Sequence, residues 1–559
     1  MDYSLKIGGA AGQGVQTVAD SLSRVFLRQG YFVFTTKDYQ SRVRGGHTFT
    51  QIRIAGNPLS AMRERVDLLV CLNQETFDRH ATEVQEGFIL GALEKNQELS
   101  ATVIPVDFKK IAQDLGNQIY ANMVAVGAVL GLLGLEISSM EKLIHKYFDK
   151  KGKDVVESNL SALVAGKSVV ESSGHPPVFK EVRKDDDNKN ILINGNDAIG
   201  LGAVLAGCSF YSAYPMTPSS GVLNFMASRS REYGIVVEQA EDEIAALNMA
   251  IGASYAGARA MTGTSGGGFC LMVEGLGLAA MTETPIVVLN GQRPGPSTGL
   301  PTRTSQGDLE FVIHASHDEF PRFVLAPREP EDALNTVIRA FNLAERFQVP
   351  VIILSDQYLA DSEWTYAEIA FNESADPPAF AEALDDYKRY RISKNGVSPR
   401  AVPGTGPGLV IADSDEHDQT GHITEDLSVR VEMQEKRMRK FDDMRNWVRS
   451  PLKKEGEDLT LVGWGSTYGI LLEAREHLMN QGIHAGLYHF TDVFPFPSDI
   501  RETFEALPNP VIVEGNYLGQ LARLLERETG LRFPRRVNTY NGRPMLVEEL
   551  LHRLEEVTK

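Results

Sequence analysis

Cysteine is scarce: Cys71, Cys208 and Cys270 are the only three in 559 residues, and no two are close in sequence. That excludes a disulfide scaffold, and no zinc site or iron–sulfur cluster held wholly by this chain is expected. The same scarcity fits a reducing, cytoplasmic compartment. Positive charge is also short, with 56 Lys and Arg against 74 Asp and Glu and a net charge of −18. Nucleic acid is therefore not an expected partner, because phosphate neutralisation needs clustered Lys and Arg. Long apolar runs are missing too. The longest, Met123–Ile137, is broken by Gly127, Gly131 and Gly134. It is too short to span a bilayer and reads as a buried helix, so no membrane partner is expected. Met1-Asp-Tyr-Ser-Leu-Lys reads as entry into a strand, not a signal peptide. No short internal repeat is visible.

What is present is an ordinary globular composition, 42% hydrophobic, over a length that calls for several domains. Strand and helix patterns alternate, which predicts α/β modules with doubly wound, mainly parallel sheets. We divide the chain into a first module at 1–170, a linker at 171–190, a second module at 191–361, an irregular charged segment at 362–455 and a last module at 456–559. The linker is polar, with Glu171-Ser-Ser-Gly-His-Pro-Pro and a Lys-Asp-Asp-Asp-Asn-Lys run. In the first module a strand at 4–8 runs into Gly8-Gly-Ala-Ala-Gly-Gln-Gly14 and a helix from Val15 to Gln29. Glycines there would let backbone N–H groups approach an anion at a helix N-terminus, or would simply make a tight turn. Ser41-Arg-Val-Arg-Gly-Gly46 reads either as a solvated hairpin or as an anion or interface contact.

Four loops of the second module stand at or just beyond predicted strand C-termini: Tyr214-Pro-Met-Thr-Pro-Ser-Ser220, Glu238-Gln-Ala-Glu-Asp-Glu243, Thr262-Gly-Thr-Ser-Gly-Gly-Gly268 and Asn290-Gly-Gln-Arg-Pro-Gly-Pro-Ser-Thr-Gly-Leu-Pro-Thr302. In an open parallel sheet, that edge is where ligands bind. The two prolines around Thr217 fit no helix or strand interior, so they predict a stiff turn carrying one hydroxyl. Arg293 offers a planar fork for a carboxylate, and Thr217 and Thr302 offer hydroxyl donors. Glu241, Asp242 and Glu243 by themselves read first as acids facing a helix N-terminus, which is common.

Taken together, these strings resemble the α subunit of the 2-oxoacid:ferredoxin oxidoreductases, most closely the 2-oxoglutarate branch with a fused γ domain. The resemblance covers nearly the whole chain. Gly8–Gly14 with Ser41–Gly46 resembles the γ domain. Tyr214–Ser219, Glu243, Thr262–Gly268 and Gln292–Leu309 resemble the domain that binds the pyrimidine of thiamine diphosphate. Gly463–Gly469 with Glu514-Gly-Asn-Tyr-Leu-Gly-Gln520 resembles the transketolase C-terminal-like domain. The resemblance implies that Glu243 holds the pyrimidine N1′ and that Tyr214, Pro215, Thr264, Ser265 and Gly266 line the cofactor. It implies that Thr217, Arg293 and Thr302 bind the substrate. Arg303, His314 and His317 are candidates for a distal carboxylate, while Arg303 and Arg322 also read as structural or interface residues.

The reaction implied is oxidative decarboxylation of 2-oxoglutarate with coenzyme A to succinyl-CoA and CO2, reversibly, with electrons passing to a [4Fe–4S] cluster and ferredoxin. No Gly-Asp-Gly…Asn motif for diphosphate and Mg2+ is found here, and the cysteines for a cluster are absent. The resemblance therefore implies a separate β subunit carrying both, in an (αβ)2 assembly, with no metal held by this chain. Pyruvate, branched-chain or aryl 2-oxoacids stand as alternative substrates. A noncatalytic nucleotide- or CoA-binding protein built on Gly8–Gly14 is the alternative of another class.

Overall fold

The computed structural model describes residues 2–41, 45–94, 98–179 and 189–558. Arg42, Val43 and Arg44 of the basic glycine turn, and residues 180–188 of the expected linker, lie outside the described residues. The chain forms two compact units. One comprises Met1–Ile193, Ser362–Ile369 and Leu546–Glu548; the other comprises Asn194–Asp361, Ala370–Met545 and Glu549–Lys559.

The first unit is built on one eight-stranded sheet. Its strands are β1 (Asp2–Ala10), β2 (Phe32–Asp38), β3 (His47–Ala55), β4 (Val66–Cys71), β5 (Val84–Gly91), β6 (Thr102–Pro105), β7 (Ile191–Asn194) and, from far along the chain, β14 (Glu363–Tyr366). Their order is β6-β5-β4-β1-β3-β2-β14-β7. The wing from β1 to β6 is parallel. The pairs β1–β3, β3–β2 and β2–β14 are antiparallel. The antiparallel wing is a detail the strand–helix pattern did not announce. It follows from the short spacing between the end of β2 at Asp38 and the start of β3 at His47, which leaves too few residues for the crossover that parallel strands need. The apolar run becomes the helix Ala121–Leu133, buried from Met123 to Leu133. A Cβ at Gly127 would overlap the Leu163 carbonyl, and one at Gly166 the Val124 carbonyl. Those glycines let this helix cross Lys153–Glu171 at close range, so they serve packing and do not break the helix.

The second unit holds two sheets. The larger comprises β8 (Phe210–Ala213), β9 (Val236–Gln239), β10 (Ala260–Ser265), β11 (Ile286–Gln292), β12 (Phe323–Leu325), β13 (Pro350–Asp356) and β18 (Asp492–Phe494), in the order β18-β12-β13-β11-β10-β8-β9. All its pairs are parallel except β12–β18. The chain goes from β8 out to β9 at the sheet edge and then back past β8 to β10, so the winding direction reverses beside β8. The smaller sheet comprises β15 (Leu452–Lys454), β16 (Leu459–Trp464), β17 (Ala485–Phe490), β19 (Pro510–Glu514) and β20 (Arg536–Asn538), in the order β15-β17-β16-β19-β20. Only its β15–β17 pair is antiparallel. Val288 and Ile352 of the larger sheet share one hydrophobic core with Val462, Trp464 and Ile512 of the smaller. The three-sheet α/β architecture is the one expected from the sequence.

Residues 370–426 contain no helix or strand beyond an isolated bridge, His417 to Ile423. Buried polar contacts hold this stretch in place. Arg389 donates to Gln348 Oε1 at 2.8 Å and to the Glu283 carbonyl at 2.7 Å. The helix Leu427–Met444 follows and buries Lys436 and Lys440. No helix among the described residues is long and apolar enough to cross a membrane.

Candidate functional site

The reversal at β8 puts a crevice outside the C-terminal ends of β8 and β10, the place where open α/β sheets take ligands. The turn after β8 is pinned from three directions. Arg293 Nη1 donates to the Thr217 carbonyl at 2.8 Å, Asn196 Nδ2 to the Pro218 carbonyl at 3.1 Å, and Ser219 Oγ to the Met216 carbonyl at 2.8 Å. Tyr214 and Pro215 are exposed at its start, while Thr217 is half-buried.

Beyond β9, Asp242 caps the helix Glu243–Tyr255 by accepting from the Ala245 N–H at 2.7 Å. The cap satisfies a free N–H of the first turn and sets the next side chain, Glu243, inward. Glu243 is 3% exposed. Burial raises its pKa above the usual carboxylate value, its own backbone N–H opposes that, Asp242 adds to it and Arg293 lowers it. The acids at 241–243 therefore divide: Asp242 serves the helix, and Glu243 does not.

Strand β10 extends through Thr264 and Ser265, both fully buried, and the helix Gly266–Met281 opens directly from it. A Cβ at Gly268 would overlap Glu243 Oε1 and Thr264 Oγ1. A Cβ at Gly266 would lie 2.6 Å from Asp308 Oδ2. Each glycine thus admits a carboxyl side chain to the helix start. Asp308 was not among the candidates read from the sequence. Its Oδ2 accepts from Asn290 Nδ2 at 3.1 Å, and its backbone N–H donates to Gln292 Oε1 at 3.1 Å. Burial raises the Asp308 pKa, against Asn290 and Arg293. Arg293, half-buried, has its pKa lowered by burial and feels both Asp308 and Glu243.

Several buried polar atoms around this crevice have no partner within the chain: Glu243 Oε1, Thr262 Oγ1, Ser265 Oγ, Asn290 Oδ1 and Arg293 Nε. Leaving such groups unmatched costs about 1–3 kcal/mol each. Their gathering at one sheet edge is what a polar ligand would satisfy. They include an acid, hydroxyls, an amide oxygen and a guanidinium N–H, which suits a ring with both donors and acceptors beside an anionic group.

The other candidates follow in the sequence, and several serve the chain itself. Thr302 is buried further along the loop, near the turn closed by the Arg303 N–H to the Leu300 carbonyl at 3.1 Å. His314 pairs with Arg527 at 2.7 Å on an exposed surface. His317 is exposed in a shallow groove with Arg430 and Arg437. Arg322 is buried and donates to the carbonyls of Val312 at 3.1 Å and Ala315 at 2.6 Å. Among the described residues, no three His, Cys, Asp or Glu stand together as a metal site.

A second cleft lies in the first unit. Its volume is about 560 Å³, and its walls include Gly12, Gln13, Asn73, Asp107 and Asn122. Gly12 and Gly14 take left-handed φ of 88° and 85°, which glycine alone adopts without strain. The cleft stands at the C-terminal ends of β1, β4, β5 and β6, beside the helix starts at Gln74 and Phe108.

Two family models match the chain: pyruvate flavodoxin/ferredoxin oxidoreductase, thiamine diphosphate-binding, over residues 201–436, and pyruvate ferredoxin/flavodoxin oxidoreductase over residues 4–169. The α subunit of a Sulfolobus 2-oxoacid:ferredoxin oxidoreductase is 33% identical, with 100% of this chain and 97% of that protein covered. The 2-oxoglutarate synthase subunit KorA of Archaeoglobus fulgidus is 38% identical over 65% of this chain and 98% of its own length. The structure of 2-oxoglutarate:ferredoxin oxidoreductase from Magnetococcus marinus, with 2-oxoglutarate, coenzyme A and succinyl-CoA bound, superposes with a TM-score of 0.93 over 100% of both chains at 30% identity.

Proposed function

The chain belongs to the 2-oxoacid:ferredoxin oxidoreductases, as an α subunit, and from that premise we propose that it is the fused γ and α part of an enzyme that converts 2-oxoglutarate and coenzyme A to succinyl-CoA, CO2 and reduced ferredoxin, reversibly. The observation that carries the reading is the buried, raised-pKa Glu243 with its Oε1 unmatched, facing the same crevice as Arg293. Bound thiamine diphosphate would supply the carbon nucleophile that attacks the 2-oxoacid ketone.

The chain's own residues would do the rest. Burial, which disfavours the charged carboxylate, suits Glu243 to share a proton with the pyrimidine N1′. Tyr214, Pro215, Thr264, Ser265 and Gly266 would frame the ring. The glycines at 266 and 268 keep that frame clear of side chains. Arg293, tied back to the Thr217 carbonyl, has its Nε free of partners and would take the substrate's C1 carboxylate, with Thr217 and Thr302 donating hydroxyls. The distal carboxylate of 2-oxoglutarate would fall to Arg303 or to a β-subunit residue, since His314 is paired with Arg527 on an exposed surface and His317 lines a groove with Arg430 and Arg437. The cleft of the first unit, with its glycine loop at Gly12 and Gly14, is large enough to take part of coenzyme A.

Mg2+, the diphosphate and the [4Fe–4S] cluster would belong to a β subunit, in an (αβ)2 assembly in the cytoplasm. Exposed Ile244, Met249 and Leu271, on the two helices that begin at the crevice, supply apolar surface for such a partner. The test is reconstitution. The chain alone should not reduce viologen with any 2-oxoacid, whereas the complex with its β subunit should, with kcat/KM highest for 2-oxoglutarate over pyruvate and 2-oxoisovalerate. Turnover by the chain alone would refute the half-site reading. A preference for pyruvate or 2-oxoisovalerate would overturn the substrate assignment and leave the family standing.

A further inference from the structure

The glycine strings Gly463–Gly469 and Glu514–Gln520 take no part in the chemistry proposed above. They stand at the C-terminal ends of β16 and β19. The chain passes from β16 to β17 on one side and returns to β19 on the other, so the winding of the smaller sheet reverses between β16 and β19. Such a reversal opens a crevice where a parallel sheet would take a ligand. Here the chain fills it with a side chain of its own.

That side chain is Gln306, only 3% exposed, on the loop that follows β11 and carries Arg293, Thr302 and Arg303. Its Nε2 donates to the Trp464 carbonyl, at the end of β16, at 2.8 Å. Its Oε1 accepts from the Gly515 N–H, just past β19, at 2.8 Å. Its backbone N–H donates to the Gly515 carbonyl at 2.8 Å, and its carbonyl accepts from Asn516 Nδ2 at 3.1 Å. Every polar group of Gln306 is thereby engaged by the edge of the smaller sheet. A Cβ at Gly465 or at Gly515 would come to 3.2 Å from the Gln306 side chain, so glycine at both positions makes room for it. The receiving edge is itself fixed. Glu514, fully buried, accepts from the Leu521 and Ala522 N–H groups at 2.7 and 3.0 Å and from Asn516 Nδ2 at 2.9 Å.

The neighbours of Gln306 are held in the same way. The Thr304 N–H donates to the Gly542 carbonyl at 3.1 Å, and Gln520 Nε2 to the Gly307 carbonyl at 2.7 Å. At its other end the loop is tied through Arg293 to the Thr217 carbonyl at 2.8 Å. Thr302 and Arg303 lie between these two anchorages. Only an amide offers one donor and one acceptor in a single plane to a carbonyl and an N–H on neighbouring strand ends.

We propose that Gln306 is a positioning residue for substrate binding: docked in the crevice of the smaller sheet, it sets where Thr302 and Arg303 meet the 2-oxoacid. This rests on the assignment of Thr302 and Arg303 to the substrate made above. The smaller sheet then acts as the mount of the substrate loop and not as a ligand site in its own right.

The test uses the assembled complex with its β subunit, 2-oxoglutarate and saturating coenzyme A. Gln306→Met keeps the length of the side chain and loses both of its hydrogen bonds. It should raise KM about 10-fold and leave kcat within about 2-fold of the wild type. Gln306→Asn keeps the amide but shortens its reach, should also raise KM, and decides the matter if Gln306→Met does not assemble. A purely structural role would lower the unfolding temperature and the yield of complex, with KM of the assembled enzyme unmoved. In a Thr302→Ala, Arg303→Gln background, Gln306→Met should add no more than about 2-fold to KM, because nothing is left for it to position. An unchanged KM in the single variants overturns the proposal, as does a full 10-fold rise that persists in that background. If Thr302→Ala and Arg303→Gln themselves leave KM unmoved, the substrate assignment of those two residues fails and the inference falls with it. If they raise KM and Gln306→Met does not, the inference falls alone.

Discussion

Glu243 and Glu283 are buried carboxyl groups at opposite ends of one helix, Gly266–Met281, and they are treated in opposite ways. Glu243 rests over Gly268 at the helix start, with an oxygen unmatched and its pKa raised. Glu283 follows the helix end, fully buried, with Lys436 Nζ and Lys440 Nζ each 2.6 Å from its carboxylate. Against its burial, Lys440, Lys436 and Arg389 hold its pKa well below the usual carboxylate range. A helix C-terminus repels an anion and attracts cations, so the surrounding lysines and arginine complete that end. The helix start favours a negative group, yet no cation closes on Glu243 within hydrogen-bond reach. Glu283 thus ties the irregular 370–426 stretch and the helix Leu427–Met444 onto the sheet, and Glu243 is left open for a ligand.

The comparison breaks most sharply by substitution. Glu243→Gln should lower turnover of the complex by about 10²–10⁴-fold, with substrate affinity and thermal unfolding nearly unchanged, because an amide cannot pass a proton to a ring nitrogen. Glu283→Gln should do the reverse. It leaves two buried lysines without their anion and should destabilise the second unit by about 3–5 kcal/mol in denaturant titrations, while activity per folded molecule holds. Loss of activity with unchanged stability in Glu283→Gln would mean the two ends are not distinct in role.

Arg293→Lys sharpens the open end. Lysine keeps the charge and loses the fork, so KM should rise about 10-fold by the same factor for every 2-oxoacid, since all share the C1 carboxylate. A change only in the ratio between 2-oxoglutarate and pyruvate would assign Arg293 to the distal end.

The smallest effect is in pH. The folded pKa of Glu283 lies below its unfolded value, so its contribution is full above the usual carboxylate range and is lost as pH falls through the folded value. Wild-type stability should therefore drop in acid more steeply than that of Glu283→Gln. Equal acid slopes in unfolding titrations would remove Glu283 from the account.

Much of the open end was legible in the sequence, because strand–helix alternation locates strand C-termini and the glycine and proline strings there have few structural uses. The division among Glu241, Asp242 and Glu243 came only from the family resemblance, since by residue type all three suit a helix start until the Asp242 cap sets which side chain turns inward. Asp308 was hidden for a different reason. Its meaning depends on a close approach to Gly266, 42 positions earlier in the sequence, that only the folded sheet creates. The closed end was equally hidden. Lys436 and Lys440 sit in a segment that the sequence marks only as charged, and nothing local announces that they are buried on Glu283. The helix Gly266–Met281 also begins at the glycines that local propensity would assign to a loop, because carboxyl groups packed there admit no larger residue.

The most direct test of the open end is the exchange of the C2 hydrogen of thiamine diphosphate bound to the assembled complex, measured by NMR after acid quench. The account predicts wild-type exchange in Glu283→Gln and exchange slowed by about 10²-fold or more in Glu243→Gln, with the cofactor retained in both. Near wild-type exchange in Glu243→Gln would contradict it.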